Sequence, residues 1–144
     1  TLERGAILHD IGKIGISDTI LLKPGPLTAD EWETMRLHPD IGARIIEGIP
    51  FLQEAMPVIR YHQERWNGTG YPIGLRGTDI PFNARIFAVV DAFDALTNER
   101  PYRKPISVEA ALAYLKEQSG VMFDPVIVCE FEAMSKDGTL QELL

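Results

Sequence analysis

The run Ile86-Phe87-Ala88-Val89-Val90-Asp91-Ala92-Phe93-Asp94-Ala95-Leu96 decides the fold class. Its residues do not alternate between apolar and polar as a half-buried strand would. With the residues just before it, the run predicts a strongly apolar helix over 83–96. Asp91 is the anomaly within it. A carboxylate in so apolar a helix should be buried, and a buried charge needs a partner. A metal ion is one such partner, and a salt-bridged or surface aspartate is the alternative reading. Asp94 lies three residues on along the same face. It can support such a site from outside or support the turn that follows.

Helix signals extend outward from this run in both directions. Downstream, 107–117 and 124–134 each begin with a good capping residue, Ser107 and Asp124. Upstream, 63–82 breaks all periodicity, with Gly68, Gly70, Pro72, Gly74, Gly77 and Pro81 in one stretch. That reads as a long structured loop, a common place for function within a compact domain. Further back, 52–61 and 39–47 read as helices, the latter stopped by Gly48. Thr28-Ala29-Asp30-Glu31 is a capping box opening a helix to about residue 37. Residues 14–26 read as an irregular connector, and 2–9 as the end of an apolar helix stopped near Gly12. No stretch alternates convincingly enough for a strand, so the chain reads as all-α.

The 144 residues suit one domain over 1–144, with the loop 63–82 inside it. A composition of 45% hydrophobic and 24% charged residues is that of a folded chain able to bury its own core. The net charge of −7 argues against a nucleic-acid polymer as partner. A small anionic ligand remains compatible if local cations or metals receive it. Cys129 is the single cysteine and cannot form an internal bridge, which fits a reducing, cytoplasmic compartment. No apolar run reaches membrane-spanning length, so no direct insertion is expected. The opening Thr1-Leu2-Glu3, with no initiator methionine, suggests a piece of something longer.

The chemistry-bearing residues are few. His9, His38 and His62 are the only histidines. His9-Asp10 is an imidazole beside a carboxylate, a pair suited to Zn, Mn or Fe but also an ordinary polar helix end. His38 precedes Pro39 at a helix junction, and His62 closes a helix before the loop. Each alone also reads as a structural histidine. Together, at element ends, they can converge on one cleft. Lys13 and the run Arg100-Pro101-Tyr102-Arg103-Lys104 supply cations able to hold phosphate oxygens, or to sit solvated in a turn. No phosphate-binding glycine loop, nucleophile elbow or cysteine cluster competes.

In order and spacing, these segments resemble the HD-GYP family of the HD superfamily. His9-Asp10-Ile11-Gly12-Lys13-Ile14-Gly15 resembles the HD signature. His62-Gln63-Glu64-Arg65-Trp66-Asn67-Gly68-Thr69-Gly70-Tyr71-Pro72 resembles the stretch with the GYP motif, and Asp91-Ala92-Phe93-Asp94-Ala95-Leu96-Thr97 with Arg100-Pro101-Tyr102-Arg103 the third signature. Lys23-Pro24-Gly25-Pro26-Leu27 and Phe123-Asp124-Pro125 also look like family segments. The resemblance implies an all-helical HD bundle with a long Gly-rich loop and C-terminal helices. It implies a metal-dependent phosphodiesterase that cuts cyclic di-GMP to linear pGpG or GMP in bacterial signalling. A mixed cyclic dinucleotide is the alternative substrate. A degenerate domain that binds nucleotide or protein without hydrolysis is the alternative role.

By the same resemblance His9, Asp10, His38, His62 and Asp91 are metal ligands, with His9, Asp10 and Lys13 catalytic. Lys13, Tyr71, Arg100 and Arg103 contact substrate, and Gln63 and Asp94 stand behind the ligands. Two divalent ions, iron or manganese, are implied. Gln63 stands where family members often carry a second histidine, and its amide oxygen is a poor ligand for a third ion. Asn67 stands where the family pattern has Asp. A Glu and a His from a helix before the HD motif are expected to complete the site in the parent protein. So are an upstream sensor or receiver domain and a GGDEF-type or other signalling partner on the GYP loop.

Overall fold

The structure is a computed structural model, and it describes residues 2–99 and 104–139. The chain begins with α1 (Leu2–Leu8), runs through a 3-10 turn (Ile11–Gly15) and makes a short helix, α2 (Asp18–Leu21). Next come α3 (Ala29–Met35) and α4 (His38–Ile46), then a second 3-10 turn (Pro50–Ala55) and α5 (Met56–Tyr61). The long loop holds one 3-10 turn (Gly77–Asp79) and leads to α6 (Phe82–Thr97), α7 (Val108–Glu117) and α8 (Pro125–Lys136). Among the described residues the only strand-like pairing is an isolated bridge between Ser119 and Phe123. The all-α expectation therefore holds.

Most boundaries follow from caps legible in the sequence. Thr28 Oγ1 accepts from Glu31 N–H, and the Glu31 carboxylate accepts in return from Thr28 N–H, the reciprocal capping box. Lys23 adds an ammonium to the same carboxylate at 2.6 Å, tying the connector to α3. Ser107 and Asp124 cap α7 and α8. Two expectations need correction. The connector 14–26 contains α2, because Ser17 Oγ accepts from Thr19 N–H and starts a turn there. The continuous helix over 52–61 is two pieces. Pro57 lacks the N–H that an α-helix running through it would use, so it lies in the first turn of α5 instead.

Two apolar clusters hold these elements. Val89 and Phe93 of α6 pack on Ala111 and Leu115 of α7, Phe123, and Val128 and Phe131 of α8. Ile46, Ala55 and Ile59 form the other, covered by Leu8, Ile11, Leu52 and Met56. Each fully buried aliphatic side chain contributes about 1.5–3 kcal/mol relative to exposure. The end of α1, the start of α4, the end of α5 and the middle of α6 meet between the two clusters. No helix among the described residues is long and apolar enough to cross a membrane.

Candidate metal centre

Among the described glycines, Gly12 allows the tightest backbone approach. A Cβ on Gly12 would lie 1.8 Å from the His38 carbonyl oxygen and 2.5 Å from Gly42 N. Only a residue without Cβ lets the turn after α1 lie directly on the first turn of α4. That contact carries Asp10, just before the turn, up against His38. Asp10 occupies the N-cap position of the turn, yet its carboxylate caps nothing there and is free to point inward.

Three ligand atoms converge as a result. His38 Nε2 and His62 Nε2 are 3.2 Å apart, and Asp10 Oδ1 lies 3.4 Å and 3.8 Å from them. Both imidazoles are oriented from behind. His38 Nδ1 donates to Met35 O at 2.8 Å, and His62 Nδ1 to Ile59 O at 3.0 Å. A carbonyl only accepts, so each Nδ1 carries the proton and each Nε2 presents a bare lone pair. Burial is the main cause holding both histidines neutral, with like charge from neighbouring histidines adding to it. His38 is lowered, and His62 is pushed down to about 4. Two lone pairs and a carboxylate oxygen thus face one another without a proton among them. Asp10 Oδ1 is buried and accepts no hydrogen bond at all. Such a cluster repels itself unless a cation sits within it, and imidazole with carboxylate is a donor set that zinc, manganese and iron accept.

The other oxygen of Asp10 is differently supplied. Lys13 Nζ donates to Oδ2 at 2.7 Å, and His9 Nε2 lies 3.2 Å from the same atom. These contacts outweigh burial, which acts the other way, and hold the Asp10 carboxyl well below the usual carboxylate range. Burial also opposes protonation of His9. It is overcome by hydrogen bonds to Asp10 and to Ala6 O and by the charges of Asp10 and Asp91, so His9 is raised. The His9 ring packs on Phe87 and stands edge-on to His62.

The remaining expected residues fall at graded distances. Asp91 is half-buried on α6, acts electrostatically on His9, and shares a cavity of about 130 Å³ with His62 and Gln63. It is not one of the three converging ligands. Gln63 O accepts from Tyr71 N–H, and the Tyr71 ring stands edge-on to His38 at 6.3 Å. Asp94 is exposed and accepts from the Asn98 side chain at 2.9 Å, so it supports the turn after α6. It borders the groove between α6 and α8 rather than the cluster. Arg100 and Arg103 lie outside the described residues.

Two positioning residues were not among the site residues expected from the sequence. One is Gly12. The other is Glu64, buried, whose oxygens accept from Ile73, Gly74 and Leu75 N–H at 2.9–3.1 Å and shape the loop behind Tyr71. An acid directly before a glycine-rich loop is the only clue to its role.

Comparison with known proteins places the chain in a family. The family model described as HD domain matches residues 1–127. The cyclic di-GMP phosphodiesterase response regulator RpfG of Xanthomonas campestris is 50% identical over 126 residues, covering 86% of this chain and 33% of that protein. A cyclic di-GMP phosphodiesterase of Thermotoga maritima is 44% identical, covering 96% of this chain and 38% of that protein. The chain thus spans about a third of the length of these relatives. Among solved structures, a cyclic GMP-AMP specific phosphodiesterase of V. cholerae superposes with a TM-score of 0.68 at 23% identity, covering 90% of this chain and 36% of that one. It shares the fold.

Proposed function

The chain belongs to the HD domain family, and on that premise we propose that it carries most of the active site of a metal-dependent phosphodiesterase that opens cyclic di-GMP. One observation carries the reading: Asp10 Oδ1, buried without a hydrogen bond, faces the two bare Nε2 atoms of His38 and His62. Two divalent ions, iron or manganese, would be held by these three residues together with His9 and Asp91. Asp10 would contribute to holding them, with Oδ1 facing His38 and His62 and Oδ2 facing His9. When bound, such ions supply Lewis acidity that lowers the pKa of a water and offsets phosphoryl charge.

The protein's own groups do the rest. Burial keeps His38 and His62 neutral and therefore able to ligate. Lys13, which donates to Asp10 Oδ2 at 2.7 Å, would meet a phosphate oxygen and orient the diester. The chemistry needs no side-chain nucleophile. Water oxygen bonds to phosphorus, the P–O3′ bond breaks, the 3′ oxygen takes a proton, and the ring opens to a linear 5′-phosphorylated dinucleotide. Tyr71, edge-on to His38, would border the substrate. Arg100 and Arg103 are further phosphate-binding candidates. A receiver domain upstream in the parent protein follows the naming of RpfG as a response regulator. A signalling protein docking on the GYP loop remains part of the same reading.

A second substrate has specific support, because a relative 40% identical over 129 residues is named a 3′3′-cGAMP-specific phosphodiesterase. The test uses full-length protein loaded anaerobically with Mn²⁺ or Fe²⁺ and chromatography of products from both cyclic dinucleotides. Cyclic di-GMP should be linearised, and His9→Ala and Asp10→Ala should abolish turnover while the protein stays folded. A folded, metal-loaded protein that leaves every cyclic dinucleotide intact overturns the reading.

A further inference from the structure

A second cavity, of about 490 Å³, has Tyr71 in its lining. Trp32, Glu33, Arg36, Arg65, Thr69 and Tyr71 line it. Tyr71 is the shared wall: its ring meets His38 at 6.3 Å, and the Arg36 guanidinium lies 5.7 Å from its centroid. The size suits a nucleotide-sized ligand rather than an ion.

The two cations of this cavity are not taken up by ion pairs among the described residues. Lys13, Lys23, Arg60 and Arg85 each pair with a carboxylate. Among the described residues Arg36 and Arg65 pair with none, so two planar forks of donors are available in one cavity. Their roots are held rigidly. Arg36 caps α3, and Trp32, four residues before it, stands on the same face of that helix. Arg65 lies between the anchored Glu64 and Trp66, whose N–H donates to Met122 O at 3.0 Å. Gly70 closes on it from behind, since a Cβ there would meet Arg65 N at 2.4 Å. Trp32 is 46% exposed, an indole open to stacking. Glu33 is the one acid of the lining, and a carboxylate matches the paired N–H donors on the Watson–Crick edge of guanine, which adenine lacks.

A cyclic dinucleotide has two phosphodiesters and two bases, and only one diester is cut at a time. We propose that this cavity seats the half that is not being cut, with Arg36 and Arg65 holding its phosphodiester and Trp32 stacking on its purine. The assignment rests on the cyclic dinucleotide reading above. It names Arg36, Arg65 and Trp32 as binding residues outside the metal centre and Glu33 as the group that favours guanine there. Guanidinium forks fit a diester, and aromatic stacking serves any purine.

The test is equilibrium dialysis of cyclic di-GMP against full-length protein stripped of metal, where no turnover occurs, together with KM of the metal-loaded protein. R36Q/R65Q and, separately, W32L should each raise Kd and KM at least tenfold, with metal content and thermal midpoint as in wild type. A charge-matched control, R44Q/K136Q, should move neither constant by more than twofold. Unchanged constants in R36Q/R65Q, equal loss in the control, or no binding by the stripped wild type each overturns the assignment. The two readings separate cleanly. Turnover of cyclic di-GMP with unaltered KM in R36Q/R65Q removes the subsite alone. Binding that the substitutions abolish, in a metal-loaded wild type that cuts nothing, removes the phosphodiesterase alone.

Discussion

Gly12→Ala should separate the ligands of the metal centre without touching any of them. The new methyl carbon would start 1.8 Å from the His38 carbonyl oxygen, and ordinary contact begins at 3.4 Å. The obstacle is backbone on both sides, so no side chain can turn aside. The turn and α4 must therefore part by about 1.6 Å, the difference of those two distances. Carried to the side chains, that displacement widens the 3.4 Å gap between His38 Nε2 and Asp10 Oδ1 to about 5 Å. Two donors on one ion at about 2.0–2.2 Å each span at most about 4.4 Å. One ligand is thus lost, and metal affinity should fall at least tenfold, on the order of the losses seen when supporting contacts of metal ligands are removed. Overpacking should also cost about 1–3 kcal/mol of stability. Metal content after dialysis at fixed free Mn²⁺, with urea denaturation of the stripped protein, reads both. Gly15→Ala is the internal comparison. Its Cβ would meet the Ile41 side chain at 2.9 Å, which can yield, so metal content should hold. A Gly12→Ala protein that keeps wild-type metal affinity would refute the claim that this backbone contact sets the ligand spacing.

Glu64→Gln leaves one amide oxygen for the three N–H groups that the carboxylate now serves and points an NH₂ at one of them. A loss of about 2–4 kcal/mol is expected from a buried charged acceptor. It should appear as a lower urea midpoint at unchanged m, and a change below about 0.5 kcal/mol would contradict the loop-anchor role. For the metal-free protein, His62 sets a pH dependence. Its folded pKa of about 4 lies below the ordinary 6.5, so the unfolded chain binds more protons between those values. Stability is then fully present above about pH 6.5 and declines toward pH 4, by up to roughly 3 kcal/mol from this group. The raised His9 acts outside that window: its contribution is fully present below about pH 6.5 and is lost as pH rises through its folded value. A flat denaturation midpoint across the window would contradict the buried, neutral assignment. Finally, Mn²⁺ at a hundredfold its Kd should stabilise the stripped wild type by about 2.7 kcal/mol. Asp10→Asn should remove most of that gain in a thermal shift assay, and equal stabilisation of the variant would show that the ion binds elsewhere.

Much of this protein is legible in its local chemistry. The capping box at Thr28 and Glu31 and the caps at Ser107 and Asp124 place three helix starts, because each cap satisfies backbone donors within a few residues of itself. The sequence pattern puts all three histidines at element ends, and all three meet Asp10, His38 and His62 at Oδ1 and His9 at Oδ2. The short helix after Ser17 and the break before Pro57 are harder to read, since helices this short depend on the packing around them more than on propensity.

The sequence by itself determined the helical class, the boundaries that caps enforce, and the identity of the groups that can ligate or hold charge. Those depend on neighbours along the chain. The motif resemblance implied a shared site, and the tertiary structure shows Asp10, His38 and His62 converging in it. His38 and His62 are 24 residues apart, and their meeting with Asp10 depends on two helices and a turn packing at one distance. Gly12 shows what local chemistry leaves out: its role lies in the carbonyl of a residue 26 positions later, outside any local window. The same holds for the guanidiniums of Arg36 and Arg65. On the chain they are two ordinary charges, and only the folded loop places them across one cavity from each other.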